Sequence, residues 1–171
     1  MYKLTKESVD HKNIENEVKL PLTTLWYQGP LYTYEGVKEG YILEGYVAGC
    51  VAIGGSQVAR YFKHPKYGVG IIPAYNNFAA KNIDGFEYDW GNMPDQLSTS
   101  SSLQKIIATS TLVLDIGLAS QSGYGPGTPA NPINLVDGLR RNFNYDKNIK
   151  LVSFTLDGYG YTYNEVCKLI K

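Results

Sequence analysis

The chain has 171 residues and a mass of 19.0 kDa, enough for one domain with a hydrophobic core but not for two. Its 43% hydrophobic and 19% charged residues exclude an intrinsically disordered protein. Sixteen basic and sixteen acidic residues balance to zero formal charge, so the basic excess typical of nucleic-acid or anionic-membrane binding is missing. No apolar run reaches the roughly 20 residues of a membrane span. Residues 1–7 also lack the apolar stretch of a secretory signal.

Cysteine and histidine are too scarce for a disulfide framework or a common metal site. The cysteines are Cys50 and Cys167, and the histidines are His11 and His64. No CxxC spacing occurs, so we expect no metal and no other cofactor. Fifteen tyrosines and eighteen glycines indicate a loop-rich α+β protein.

The first part of the chain is predicted to be mostly irregular. Residues 1–19 are polar and form a lead-in, and the domain itself is expected to span 20–171. Pro21 and Gly29-Pro30 argue against a regular helix in the segment 20–32, and the Gly- and Tyr-rich segment 33–49 is typical of a loop.

A helix is predicted to begin at Cys50. Val51, Val58 and Phe62 share one face of that helix and are expected to be its buried stripe. Gly54-Gly55 in its interior costs about 1 kcal/mol per glycine relative to alanine, which indicates close packing there. His64-Pro65 is expected to end the helix.

Residues 66–97 are predicted to be loop with short extended pieces, followed by a long helix. Ser101 and Gln104 have the spacing of a capping box at the start of this helix, and its apolar residues begin at Leu103. Gly117 is expected to be its C-cap.

The last part of the chain combines a shaped loop with shorter elements. The Gly- and Pro-rich segment 120–132 excludes regular structure, 133–143 has helical spacing, and 150–154 is typical of a strand. Thr162 and Glu165 predict a helix that begins near residue 163 and has no stop signal before Lys171. We therefore expect the chain to be part of a longer protein.

Cys50 is the strongest candidate for chemistry. It follows the loop Gly45–Gly49 and opens a helix, where the macrodipole and the unpaired N–H groups favour a thiolate. Its own backbone N–H could bind an oxyanion, and the side-chain amide of Gln28 is a candidate second donor. Two plainer interpretations stay open: Cys50 as a small buried thiol, and Gln28 as an ordinary loop residue. Cys167 is expected to be structural.

No general base for Cys50 can be identified from the sequence alone. His64 lies near the far end of the same helix, on the order of 20 Å away. His11 lies in the polar lead-in, where nothing local would orient it. A nucleophilic cysteine needs such a base, usually a histidine held by a third group.

Several segments, in order from about residue 20 onwards, resemble motifs of the streptopain family of cysteine proteases. Trp26–Tyr32 is similar to W-N-Q-x-x-P-Y, and Val47–Val58 to the nucleophile helix T-G-C-V-A-T-A-x-A-Q-[IV]. Further resemblances are found at Tyr61–Pro65, Tyr88–Pro94, Asp115–Gly117, Tyr124–Pro126 and Phe143–Tyr145.

This resemblance implies part of a papain-like α+β fold whose C-terminal portion, with the catalytic histidine, is absent from this chain. It implies that Cys50 is the nucleophile and that Gln28 completes the oxyanion hole. It also implies that the loop Tyr124–Ala130 borders the substrate cleft, with Gly49, Tyr124, Gly125 and Thr128 as substrate-binding residues. The family is mostly secreted and bacterial, so a secreted or cell-surface protein is expected.

The sequence departs from the family pattern at three places. In the family, the G-H-A segment with the catalytic histidine and the Trp-rich segment that orients it come after the region that this chain matches. Gly54-Gly55 replaces alanine and a larger apolar residue, and Gly127–Ala130 replaces a serine-rich stretch.

We therefore expect a cysteine endopeptidase that acts on proteins or peptides and takes its histidine from a complementary C-terminal segment or second chain. An inactive binding fragment on the same scaffold and another thiol acyltransferase are the alternatives. The chain alone is expected to be inactive.

Overall fold

The structure is a computed structural model and describes residues 22–151. The lead-in at 1–19, His11, the helix predicted near residue 163 and Cys167 lie outside this range. Within it, four α-helices and a short antiparallel pair of strands are connected by long loops: α1 Pro30–Lys38, α2 Cys50–Phe62, β1 Ile71–Ile72, β2 Lys81–Asn82, a 3₁₀ turn at Trp90–Asn92, α3 Leu103–Ala119 and α4 Pro132–Asn142. In the strand pair, Ile71 is opposite Asn82 and Ile72 is opposite Lys81.

Helix α3 is the centre of the described domain. It packs against α1, α2 and α4, and every residue from Thr109 to Ala119 is buried. The predicted helix is confirmed, but its ends differ. Ser102 is the N-cap and makes no side-chain capping bond, so the capping box of Ser101 and Gln104 is absent. Gly117 lies inside the helix, because α3 continues to Ala119.

The prediction that residues 20–49 lack a regular helix is wrong at α1. Pro30 occupies the first turn of this helix, directly after the N-cap Gly29. At that position the missing N–H of proline costs no hydrogen bond, and its fixed φ suits a helix. The Gly-Pro pair therefore starts a helix instead of preventing one.

Helix α2 begins at Cys50 as predicted, but it buries a different face from the one expected. Val58 and Phe62 are exposed, whereas Ala52, Ser56 and Ala59 are fully buried. The small side chains allow α2 to approach α3 closely. At Gly55 an added Cβ would lie 2.6 Å from Leu135 Cδ1 and 3.0 Å from Ile116 Cγ2, which confirms close packing there. At Gly54 nothing lies within 4 Å.

The loop and helix predicted after α3 are confirmed at 120–131 and in α4. Of the strand predicted at 150–154, Lys150 and Leu151 are not in a strand, and the other residues lie outside the described range. None of the helices within residues 22–151 is both long and apolar enough to cross a membrane.

A buried ion cluster connects α3 to β2, to the end of α1 and to the loop that carries Tyr88. Lys81 Nζ lies 2.9 Å from Asp115 Oδ1 and 2.8 Å from Glu39 Oε2. Tyr88 donates its phenolic proton to Asp115 Oδ2 at 3.0 Å. Because burial outweighs these favourable partners, the pKa of Asp115 is raised to about 6. The pKa of Tyr88 is also raised, by burial first and then by the charge of Asp115, which keeps this phenol protonated.

Two glycines in helix interiors provide a matched test of the packing. We expect Gly54→Ala to stabilise the fold by about 1 kcal/mol, because the added methyl meets open space and lowers the entropy lost on folding. We expect Gly138→Ala to destabilise it by about 1–3 kcal/mol, because its Cβ would lie 2.6 Å from the carbonyl oxygen of Ala119. Urea unfolding measures both changes, and equal effects at the two positions would contradict the helix packing.

Asp115 predicts a specific pH dependence of stability. Its pKa is higher in the folded chain than its ordinary value of 3.8, so its contribution is complete below that value and is lost as pH rises through about 6. The wild type should therefore gain on the order of 2 kcal/mol in free energy of unfolding between pH 7 and pH 4, relative to Asp115→Asn. The exposed carboxylate variant Asp137→Asn is the control and should keep the wild-type profile. Parallel profiles for wild type and Asp115→Asn would contradict the prediction.

Candidate active site

The thiol of Cys50 is exposed at the first residue of α2. The plainer expectation of a buried, space-filling cysteine is therefore wrong. Gly49 is the N-cap, with φ of 90° and ψ of 140°, and no side chain caps the helix. The first N–H groups of α2 are thus left without an intrahelical partner beside the thiol, where they can donate to a negatively charged oxygen.

Gly49 has to be glycine for two reasons. Its positive φ lies in a region that side chains disfavour, and an added Cβ would lie 2.7 Å from Thr128 Cγ2 and 3.1 Å from the Thr128 carbonyl oxygen. The loop Tyr124–Ala130 therefore lies directly against the residue that precedes the cysteine. The structure brings together Gly49 and Thr128, two of the residues assigned to substrate binding by resemblance.

Gln28 reaches the start of α2 through its backbone. Its carbonyl oxygen accepts a hydrogen bond of 3.4 Å from the N–H of Ala48, two residues before Cys50. The side chain of Gln28 is half-buried, and its amide makes no hydrogen bond to the part of the chain that the structure describes. Among residues 22–151, nothing occupies the donor capacity of this amide.

The segment before Gln28 is anchored at several points. Thr24 Oγ1 donates to Gln57 Oε1 of α2 at 2.9 Å, and Trp26 Nε1 donates to the carbonyl of Pro94 at 2.9 Å. The N–H of Leu25 donates to the carbonyl of Asp95 at 2.7 Å. These hydrogen bonds hold residues 24–26 in place against α2 and the segment 94–95, and so position Gln28, which follows them.

Thr128 and Tyr124 are both buried in the loop that borders the site. Thr128 is 1% exposed, and its hydroxyl lies 2.6 Å from the carbonyl oxygen of Val47 and 2.9 Å from that of Gly125. The ring of Tyr124 packs edge-on against Phe78, and its hydroxyl faces Gly117, where an added Cβ would collide with it. Both side chains hold the loop, whereas the half-buried backbone of Gly125 lies nearer the surface.

His64 lies far from the thiol. It follows the C-terminus of the 13-residue helix α2, roughly 20 Å from its start. Its Nε2 lies 3.1 Å from the carbonyl oxygen of Asn144, and its ring packs edge-on against Tyr145. His64 is the only histidine within residues 22–151, so this part of the chain provides no imidazole base for Cys50.

The structure also identifies Val47, which sequence reasoning missed. Its carbonyl oxygen accepts a hydrogen bond from the hydroxyl of Thr128, 81 residues away in the sequence, and no local pattern encodes such a contact. The only available signal was a threonine among glycines and prolines, which is common in turns of any kind.

An exposed thiol at a helix N-terminus, with the Gln28 backbone hydrogen-bonded two residues before it, is an arrangement suited to nucleophilic attack on a carbonyl group. These features make the start of α2 a candidate site for thiol-dependent acyl transfer. The chain belongs to the Peptidase C10 family, which it matches over residues 26–170.

Individual relatives agree with this assignment. Streptopain of Streptococcus pyogenes is 28% identical over 136 residues, an alignment that covers 70% of this chain and 33% of streptopain. The thiol protease/hemagglutinin PrtT of Porphyromonas gingivalis is 27% identical over 116 residues, covering 63% of this chain and 13% of PrtT.

Solved structures confirm the predicted fold. The active wild-type cysteine protease interpain A of Prevotella intermedia superposes with a TM-score of 0.61 and 31% identity, over 72% of this chain and 53% of that chain. A fragment of its precursor, prointerpain A, superposes with a TM-score of 0.62 and 30% identity, over 71% and 41%. The described domain is thus part of a papain-like cysteine protease fold, and the chain spans a third of streptopain and about half of interpain A.

Proposed function

We propose that this chain carries the nucleophile of a cysteine endopeptidase. The observation that supports this most directly is the exposed Cys50 thiol at the start of α2, together with the hydrogen bond of 3.4 Å that holds the Gln28 backbone to Ala48. Membership of the Peptidase C10 family supports protein or peptide substrates.

In this mechanism a general base takes the proton of the Cys50 thiol, Sγ attacks the carbonyl carbon of the scissile peptide bond, and the protonated base then serves as the general acid. The carbonyl oxygen becomes an oxyanion, which accepts hydrogen bonds from the backbone N–H of Cys50 and the side-chain amide of Gln28. Collapse of the tetrahedral intermediate breaks the C–N bond, and the amine leaves with a proton from a general acid. Water then hydrolyses the thioester and returns Cys50 to its thiol form.

The proton donor is proposed to be a histidine from a complementary segment or chain. Two observations support this: His64 lies at the other end of α2, and this chain spans only part of its relatives. Without that group we expect this chain alone to hydrolyse peptides very slowly, because the nucleophile depends on its base.

The substrate is proposed to lie along the loop Tyr124–Ala130. Gly125 would contact it through its half-buried backbone, whereas Gly49, which is buried against Thr128, would contribute by shaping the chain that enters α2. Thr128 and Tyr124 would support the loop from beneath, because both side chains are buried. The protein is proposed to act outside a bacterial cell or on its surface, as the resemblance implies.

An inactive binding fragment is the second candidate, and the absence of a histidine near Cys50 within residues 22–151 favours it. Against it stands the side-chain amide of Gln28, which makes no hydrogen bond within residues 22–151 and which a binding surface alone does not require. The two candidates differ in whether peptide bonds are broken.

Peptide hydrolysis by the complemented peptidase, with its histidine-bearing segment present, tests the proposal. Cys50→Ala should abolish turnover, and Gln28→Ala should lower kcat by about 10²–10³, because one oxyanion donor is lost. Gln104→Ala removes an exposed glutamine from α3 and should leave kcat unchanged. If the wild type binds peptides without cleaving them, the binding candidate is correct. If Gln28→Ala retains full kcat, Gln28 has no role in the oxyanion hole.

A further inference from the structure

One peptide unit connects the substrate loop to Gln28. The carbonyl oxygen of Val47 accepts a hydrogen bond of 2.6 Å from Thr128 Oγ1. The N–H of Ala48, on the other side of the same planar peptide, donates to the carbonyl oxygen of Gln28 at 3.4 Å. This rigid unit is therefore held from both sides, and it lies two residues before Cys50.

We infer that Thr128 is a positioning residue for the oxyanion hole. Through the Val47–Ala48 peptide it sets the distance between the Cys50 N–H and the side-chain amide of Gln28. This inference rests on the proposed function, because it assigns Thr128 a role in placing the two donors that the mechanism uses. Thr128 itself touches neither the substrate nor the reacting atoms, since its side chain is buried.

The hydroxyl of Thr128 is oriented by its own turn. It accepts a hydrogen bond of 3.3 Å from the N–H of Gly125, and of its two carbonyl neighbours Val47 is the closer. A hydroxyl has one proton, so the shorter contact to Val47 is the one that it donates. A chain of hydrogen bonds thus runs from Gly125 through Thr128 and the peptide to Gln28, and each bond polarises the next.

The backbone of Thr128 is strained at this point. Its φ is +37°, in the left-handed region that a β-branched residue rarely adopts. Such a conformation persists only where the surrounding contacts impose it, and it is concentrated at functional sites. Here the methyl group and carbonyl of Thr128 lie against Gly49, so the strained residue and the N-cap of the nucleophile helix hold each other in place.

The geometry also indicates why a small change at Thr128 should affect turnover. Oxyanion donors act only when they lie within hydrogen-bond distance of the developing charge, and a displacement of about 1 Å can lower a rate by about 10². The hydrogen bond from the Ala48 N–H to the Gln28 carbonyl is already long at 3.4 Å. A further shift of Val47 would therefore break it. Substrate affinity should change less, because Thr128 is buried beneath the cleft.

The test combines two measurements on matched variants of the complemented peptidase. Thr128→Val removes the hydroxyl and keeps the shape, Thr128→Ser keeps the hydroxyl, and Thr109→Val removes a buried hydroxyl from α3 that makes no hydrogen bond within residues 22–151. Hydrogen exchange of the Ala48 amide, measured by NMR, reports the position of the peptide. Steady-state hydrolysis of a peptide substrate reports kcat and KM separately.

We expect Thr128→Val to accelerate Ala48 exchange by about tenfold and to lower kcat by about 10–10², with KM within about twofold of wild type. Thr128→Ser and Thr109→Val should stay within about threefold of wild type in both measurements. If near-ultraviolet circular dichroism finds Thr128→Val unfolded, Thr128→Ala removes the same hydroxyl with less backbone strain and replaces it in the comparison.

Unchanged Ala48 exchange in the folded variant that lacks the hydroxyl would overturn the inference, whatever the kinetics. An equal loss of kcat in Thr128→Ser would also overturn it, because the hydroxyl would then not be the active feature. Failure of the proposed function has a different signature: the wild type cleaves no peptide, while Ala48 exchange still responds to Thr128→Val. In that case Thr128 positions the peptide as inferred, and the site serves another purpose.

Discussion

The arrangement of the site depends on the two-sided hydrogen bonding of the Val47–Ala48 peptide. Cys50 begins a helix in one part of the chain, Gln28 lies 22 residues earlier, and the loop around Thr128 comes much later. These three parts meet at a single planar unit, whose carbonyl binds Thr128 and whose N–H binds Gln28. Because a peptide plane is rigid, fixing both of its polar groups restrains the chain where it enters α2.

Packing around α3 provides the rigid base on which this site is built. Small residues on α2 allow close approach to α3, and Gly117 leaves space for the hydroxyl of Tyr124 beneath the loop Tyr124–Ala130. The carboxylate of Asp115 in α3 forms an ion pair with Lys81 and accepts a hydrogen bond from the phenol of Tyr88. Moving these charges out of water costs free energy that their mutual attraction largely only offsets. The cluster therefore contributes little net stability, and its main effect is to determine which segments pack against α3.

The sequence predicted the helices at Cys50, in α3 and in α4 because their spacing and boundary residues are local signals. It failed at α1, where Pro30 was interpreted as a helix breaker although it occupies the first turn. It also failed on the buried face of α2, since contact with α3 is made by small side chains that carry little hydrophobic signal. Cys50 and Gln28 were found as candidates, but their connection through Val47 and Thr128 depends on tertiary contacts that no local pattern encodes.

The most direct test of the account is a crystal structure of the complemented peptidase with a peptide aldehyde. The account predicts a hemithioacetal on Cys50 Sγ whose oxygen lies about 2.7–3.1 Å from both the Cys50 backbone nitrogen and Gln28 Nε2. This adduct stands in for the tetrahedral intermediate, so both donors must reach its oxygen at once. An adduct whose oxygen lies away from Gln28, or an aldehyde bound without a bond to Cys50, would contradict the central claim that these two residues form one site.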